Sequence, residues 1–527
     1  MGGRTRQGSV RSRRIAAALA CVGVLVYLSA GQPASAAPTR TPPIVLTVPV
    51  EAPGYSSFPL TVAVANASPT VRRTAVLSTS WDKVAWTTVS TWAVKGAGNK
   101  SFTMTTSETL GRLYLRVRVT GKGLRPVERM ASLRIVNPYR PTVPDDADIP
   151  DAGIIVEGTL FGNHPVQGAP EGAGTVRLWD TSTSWNQIEK ARGVYTWEAL
   201  DRQVAQAERA GQQVLLVLGG TPAWAAVGPA PGNEFAGPGS SMPMTDPAYF
   251  EQYIRAVLAR YGGRIGAYQI WNEGNISEFW RGTPELLADL TARAYAVIKA
   301  AQPGAVVVAA STGSRWVKGF TEFYPEYLTA LGNLKWPVDA FSVHLYPMAS
   351  GTTKDRSYLL GMMKTALRIA NAPAKPIWET EINYGITNPG SGQLARVIPD
   401  AEIPGYVSRT YLDSLRYGIA RSYWYAWTPE YRLLGIQMWN SYPSTRAYIA
   451  LRGWVEGARF SGCSSEAAVV LCNFDRSGVP FSIAYTDDAS PGSLKVPAGF
   501  TQATAFQGAT TPVAGTISVG GDPILLS

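Results

Sequence analysis

The chain has 527 residues, of which 45% are hydrophobic and 16% charged, with 16 Trp, 24 Tyr and 52 Gly. That composition excludes a disordered chain and leaves room for about two to four domains. Half of the formal net charge of +10 comes from five arginines before residue 37, where there is no acid, and the rest is spread without clusters. A nucleic-acid partner therefore has little support.

The first 36 residues read as a secretory signal. A basic stretch ends at Arg14, Ile15 to Leu28 is apolar, and Ala34-Ser35-Ala36 supplies an A-x-A cleavage pattern. The apolar run is short for a membrane span, so a membrane enters only if this signal stays uncleaved. The expected location is outside the cell or in its envelope.

Residues 40–137 alternate in the manner of strands. Leu113, Leu115, Val117 and Val119 fall on one face, with Arg116 and Arg118 on the other. Short strands separated by Gly, Pro, Asn and Ser predict an immunoglobulin-like β-sandwich. Its Trp81, Trp86 and Trp92 are either sugar-stacking or packing residues. Residues 138–152 are rich in Pro and Asp and read as a linker.

From residue 153 to 456 strand-like runs alternate with amphipathic helix-like runs, the pattern of a parallel α/β fold. The strand-like runs are 154–161, 175–180, 213–219, 268–272, 305–310, 340–345, 376–381 and 422–427. Such β/α units predict a (β/α)8 barrel. The rival, a doubly wound open sheet, would carry a glycine-rich phosphate loop after its first strand, and none is present. Residues 457–527 return to β and predict a C-terminal β-sandwich. Cys463 and Cys472 flank a strand-like run there and are expected to pair in an oxidising compartment. Two cysteines and the two histidines, His164 and His344, have no metal-ligand spacing, so no metal or other cofactor is expected.

In a (β/α)8 barrel the working residues gather at the C-terminal ends of the strands. The second strand ends in Arg177-Leu178-Trp179-Asp180, and the third leads to Trp224. The fourth ends in Trp271-Asn272-Glu273 and the sixth in His344-Leu345-Tyr346. The seventh gives Glu379-Thr380-Glu381 and the eighth Trp424 to Trp427. Acids, one arginine, one histidine and many aromatics thus converge on one rim. Aromatic faces stack on sugar rings and polar neighbours bind hydroxyls, so the composition fits a carbohydrate better than a nucleotide or a peptide. Two strands ending in carboxylates could face each other across a cleft, as glycosidic bond cleavage requires.

The segment from Thr175 to Trp427 resembles the clan A glycoside hydrolases, and most of all glycoside hydrolase family 39 and its relatives. The resemblance lies in Trp271-Asn272-Glu273-Gly274-Asn275 followed by Phe279-Trp280, in Pro376 to Gly385, and in the strand order of Arg177, Asn272-Glu273, His344/Tyr346 and Glu381. One departure is Gly274, where the family usually has proline. Another is Glu379, an extra acid two residues before Glu381 and expected on the same side of the strand.

The resemblance implies a retaining hydrolase acting on a polysaccharide or oligosaccharide. Glu273 would be the general acid/base and Glu381 the nucleophile. Asn272 would bind the sugar 2-hydroxyl and Arg177 would be the cation beside Glu381. His344 or Tyr346 would touch the nucleophile or leaving group, and Trp427 would form the floor under the sugar. Trp224, Trp280, Glu379 and His164 join the set as rim residues that either bind substrate or pack. A transglycosylase with the same carboxylates is a rival. So is a non-catalytic carbohydrate-binding surface protein, but it predicts loss of one acid and both are present. Neither the sugar nor the oligomeric state can be read from these residues.

Overall fold

The computed structural model describes residues 44–527 apart from 55–56, 66–69, 107–110, 123–124, 138, 140–152, 229–235, 388–395, 432 and 488–489. The proposed signal at 1–36 lies outside the described residues, as does the linker except for Tyr139. The chain divides into two compact units, 1–138 and 139–527.

The first unit is a two-sheet β structure. Ile44–Thr47, Ser57–Val64 and Gly98–Thr105 form one sheet, and a five-stranded sheet is built on Arg73–Ser80, Gly111–Gly121 and Val127–Val136. The alternation read in the sequence is real: Leu113, Leu115, Val117 and Val119 are buried with Phe58, Leu60 and Val62 in one core. Trp92 packs on Phe102, the Arg116 guanidinium covers Trp86, and Trp81 is exposed.

The second unit contains the barrel. Its strands are β1 (Phe161–Asn163), β2 (Thr175–Leu178), β3 (Gln213–Leu218), β4 (Ala267–Ile270), β5 (Val306–Val308), β6 (Phe341–His344), β7 (Ile377–Ile382) and β8 (Ile419–Trp424). They pair in parallel in the spatial order 5-4-3-2-1-8-7-6. Parallel bridges at Val308–Ala340 and Gly313–His344 bring β5 back to β6 and close the ring. The expected (β/α)8 barrel is therefore present. Its helices start where local chemistry dictates. Asp246 caps Pro247–Tyr261, Thr283 caps Pro284–Ala301, and both helices carry proline in the first turn, where a missing N–H costs nothing. Apolar faces of these helices bury against the outside of the strands in one continuous core.

The expected first strand, 154–161, is not a barrel strand along its length. Ile154–Ile155 pairs antiparallel with Arg459–Glu466 at the edge of the C-terminal sheet. A 3-10 turn, Gly158–Leu160, then redirects the chain, and β1 begins at Phe161. Periodicity cannot distinguish one apolar run from two short strands in different sheets. The eighth strand begins three residues earlier than expected.

The C-terminal region forms a seven-stranded sheet with a separate pair, Gly492–Lys495 and Thr516–Val519. Cys463 and Cys472 are directly opposite on adjacent strands and form a disulfide. The sheet seats on the helix Ile403–Arg416, where the Tyr485 hydroxyl donates to Asp413 at 2.7 Å and Arg416 pairs with Asp487 at 3.1 Å.

One glycine holds the turn before β1 against the start of β2. A Cβ on Gly174 would stand 2.1 Å from the carbonyl oxygen of Gly158, while its own N–H and C=O are committed to Phe161 and Gln213. Backbone on both sides cannot yield cheaply. Gly174→Ala is expected to destabilise the barrel by roughly 1–3 kcal/mol or more. Gly304→Ala, where a Cβ meets nothing within 4 Å, is expected to be neutral or slightly stabilising. Paired denaturant titrations check the contrast.

Candidate active site

Inside the barrel, a polar layer ties the strands together. The buried side chain of Gln269 on β4 accepts from Arg177 Nε at 2.7 Å and donates to Ser342 on β6 at 3.0 Å. Arg177, 0% exposed, spends its other two nitrogens one layer higher. Nη1 donates to Glu381 at 2.6 Å and Nη2 to the Asn272 side-chain oxygen at 2.6 Å. One cation thus orients a carboxylate from β7 and an amide from the end of β4. A buried guanidinium needs such partners, since an unpaired one would be very costly.

Glu381 (7% exposed) accepts at its second oxygen from the Tyr346 hydroxyl at 2.8 Å. Both of its oxygens are therefore held. Glu273 (9% exposed) is differently placed. Its backbone is in the left-handed region, with φ +36°, as is that of Trp271, with φ +72°. For residues other than glycine this is strain of the kind stored at working sites. The Glu273 amide donates to Ser311 Oγ at 2.9 Å and the Gly274 amide to Ser311 O at 3.2 Å, which fixes the bend. Two features of the site suit glycine at position 274. Its N–H is used, and a Cβ there would meet Leu287 at 2.5 Å.

Burial pushes the Glu273 carboxyl up to about 7, with Arg315 and Arg177 pulling the other way. His344 stands between the two acids. Its Nδ1 is 3.0 Å from Glu273 Oε1 and 3.3 Å from Glu381 Oε2, although neither approach has hydrogen-bond alignment. Burial lowers its ring to about 3, so it is neutral. The two legs laid end to end limit the separation of those carboxylate oxygens to at most 6.3 Å. A third acid, Asp180, accepts from the Tyr425 hydroxyl. Burial and then the Glu381 charge raise it to about 7.

The structure thus brings together Arg177, Asn272, Glu273, His344, Tyr346 and Glu381. It does not bring in Glu379. A register shift in β7 places Val343 opposite Glu379 but His344 opposite Glu381, and this bulge breaks the two-residue alternation. Thr380 faces Gln269 in the interior. Glu379 points outward to a two-pronged pair with Arg356 at 2.6 Å and 2.6 Å, and it is 0% exposed. It is a structural acid rather than a substrate ligand.

Four other expectations are corrected. His164 is buried with Nε2 against the Thr380 carbonyl at 2.9 Å, which removes it from sugar binding. Trp280 is buried edge-on against Trp271, and its indole N–H donates to Thr283 O. Trp224 is packed with Trp185 and Tyr249 and donates to Glu189 O. Trp427 is 1% exposed and packs on the half-buried Trp439, so it offers almost no open ring face. Sequence reading missed Gln269, Ser311 and Arg315. Ser311 and Arg315 lie in the polar loop after β5, which has no motif. A cavity of about 350 Å³ near Lys354, Tyr406, Arg409 and Asp522 contains none of the site's carboxylates. Among the described residues, no group of three or more His, Cys, Asp or Glu is placed to hold a metal ion.

No protein-family model and no curated protein matches this sequence. Among solved structures, the chain is similar to a GH30 endoxylanase from Clostridium papyrosolvens C71, with a TM-score of 0.48 and 14% identity, covering 72% of this chain and 97% of that one. It is also similar to a glycoside hydrolase family 30 subfamily 8 xylanase from Clostridium acetobutylicum, with a TM-score of 0.48 and 13% identity, covering 71% and 96%. A GH10 xylanase from Thermobacillus composti gives a TM-score of 0.39 and 14% identity over 56% and 97%.

The contrast between Glu379 and Glu381 is measurable. Glu379→Gln leaves Arg356 buried with a weakened partner and should cost about 3–5 kcal/mol in unfolding free energy. Glu273 yields a pH test. It holds its proton to about pH 7 when folded, but only to its ordinary 4.5 when unfolded. Its contribution is complete below 4.5 and drains away as pH rises through 7. Glu273→Gln is therefore expected to be more stable than the wild type at pH 8, by about 2–3 kcal/mol, with the gap closing near pH 4. Denaturant midpoints across pH check both.

Proposed function

We propose that the protein is a retaining glycoside hydrolase that cleaves a polysaccharide or oligosaccharide, with Glu273 as general acid/base and Glu381 as nucleophile. One observation carries this reading. Two carboxyls from the ends of β4 and β7 lie against one neutral histidine nitrogen in opposite electrostatic settings. Glu273 holds a proton in a desolvated pocket, whereas Glu381 is gripped by Arg177 and Tyr346. Facing oxygens at most 6.3 Å apart are compatible with the about 5–5.5 Å carboxyl separation of a retaining mechanism.

In the first step a Glu381 oxygen attacks the anomeric carbon as the glycosidic bond breaks. The leaving oxygen takes the Glu273 proton, and the sugar becomes an ester of Glu381. In the second step Glu273 takes a proton from water, whose oxygen attacks the same carbon and releases Glu381. Arg177 and Tyr346 aim the nucleophile and receive it back as its charge returns. With Asn272 Oδ1 occupied by Arg177, the Asn272 NH2 group is free to donate to a sugar hydroxyl, a bond that can strengthen in the transition state. Export of the protein is part of this proposal. It is supported by the signal-like residues 1–36 and by the Cys463–Cys472 disulfide.

The test is reducing-end release from xylan, glucan, mannan, arabinan and galactan, with Glu273→Gln, Glu379→Gln and Glu381→Gln beside the wild type. Release should vanish with Glu381→Gln and fall at least about 100-fold with Glu273→Gln. The wild-type kcat/KM should fall as pH rises through about 7, where Glu273 loses its proton. With azide added, Glu273→Ala should yield a glycosyl azide of retained configuration and Glu381→Ala one of inverted configuration. Release that survives Glu381→Gln would end this assignment.

A further inference from the structure

The site holds a second cation that the reaction does not use. Arg315 lies in the loop after β5, half-buried, with its guanidinium carbon 5.8 Å from the centre of the Tyr346 ring and 4.8 Å from that of Trp316. Tyr346 is the residue that donates to Glu381. Arg177 has three partners; Arg315 has no carboxylate within 4.0 Å among the described residues.

Its position is built rather than incidental. The loop is fastened to the end of β4, because the Asn275 side chain accepts from Gly313 N at 2.9 Å and donates to Gly313 O at 3.2 Å. It is fastened equally to β6. His344 N donates to Thr312 O at 2.9 Å, and Ser314 Oγ donates to His344 O at 3.2 Å. Gly313 leaves the acid its space, since a Cβ there would stand 2.8 Å from Glu273 Oε1. Residues on both sides of the catalytic pair therefore hold the segment that carries Arg315.

A partly desolvated guanidinium without an anion is expensive, and this one is not explained by the chemistry of Glu273. A cation near the general acid favours its ionised form, the opposite of what a proton donor needs. Indeed, Arg315 is the first of the influences pulling Glu273 down. A cost of that kind makes sense when the cation serves the substrate.

We propose that Arg315 is a specificity residue that binds the carboxylate of a uronic acid unit in the glycan, at or beside the point of cleavage. This rests on the glycoside hydrolase reading and narrows its substrate to acidic polysaccharides. The planar fork of the guanidinium matches a carboxylate, and the closed barrel rim supplies the low-dielectric setting that strengthens the contact.

Matched substrates test it: glucuronoxylan, polymannuronate and polyglucuronate, each beside its carboxyl-reduced form, with binding by calorimetry and cleavage by reducing-end release. The wild type should prefer the native form of at least one. Arg315→Gln should lower the native-to-reduced ratio of kcat/KM about 10-fold to 100-fold, the size of one charge-assisted hydrogen bond. Arg315→Lys should recover part of it. Equal losses on native and reduced polymers would overturn the proposal, because Arg315 would then be tuning the carboxylate pair. Cleavage confined to neutral or reduced polymers would also overturn it while leaving the hydrolase standing. Binding of a native acidic polymer that depends on Arg315, without cleavage of any polymer, would support the Arg315 assignment and end the hydrolase reading.

Discussion

The candidate site depends on the buried guanidinium of Arg177. It takes β2, β4 and β7, three strands that are not sequence neighbours, and gives each a polar atom that must be in place. A cation with no exposure cannot be left short of partners, so the fold and the site are satisfied by the same bonds. Removing Glu381 would therefore strand a buried charge as well as remove the proposed nucleophile. In the proposed reaction, catalytic and structural effects at that position are coupled, whereas those at Glu379 are purely structural.

The two central carboxyls differ through their surroundings rather than their chemistry. Glu381 receives donors on both oxygens, from Arg177 and from Tyr346. Glu273 sits in desolvated space with a neutral imidazole beside it, which favours its protonated form. His344 is central to this difference. A charged imidazole between the acids would draw both toward ionisation, and burial prevents that charge from forming. Asp180 adds to the pattern. Burial and the neighbouring Glu381 charge outweigh the pull of Tyr425 and Arg177 on this third carboxyl, and its proton is retained to about pH 7.

The barrel and the heart of the site were legible because both obey local rules. Strands that end in Arg177, Asn272-Glu273, His344 and Glu381 alternate with amphipathic helices, and closure then brings those ends together. What escaped was set by geometry that residue type does not carry. A single bulge in β7 turns Glu379 into the helix layer, where strict alternation would have kept it beside Glu381. The tryptophans misled in another way. Trp224, Trp280 and Trp427 occur beside motif residues, but large aromatics near a rim are needed as much for filling space as for stacking on sugars, and the sequence cannot say which face is covered. The apolar run 154–161 was split between two sheets by a turn whose signal, Gly158, is a single residue.

Arg315 belongs to a different class of hidden residue. It lies on a loop between elements, where residue patterns hold least information, yet that loop is bonded to β4 on one side and β6 on the other. This suggests a division of labour within the rim. The strand ends hold the proposed acid/base and nucleophile, and their positions follow from barrel closure. The clamped loop holds the Arg315 charge at the rim without being part of the strand ladder, so its identity can change with little effect on the barrel. In the proposed hydrolase, a pocket built this way can alter which glycan it accepts while Glu273, Glu381 and the Arg177 network stay as they are.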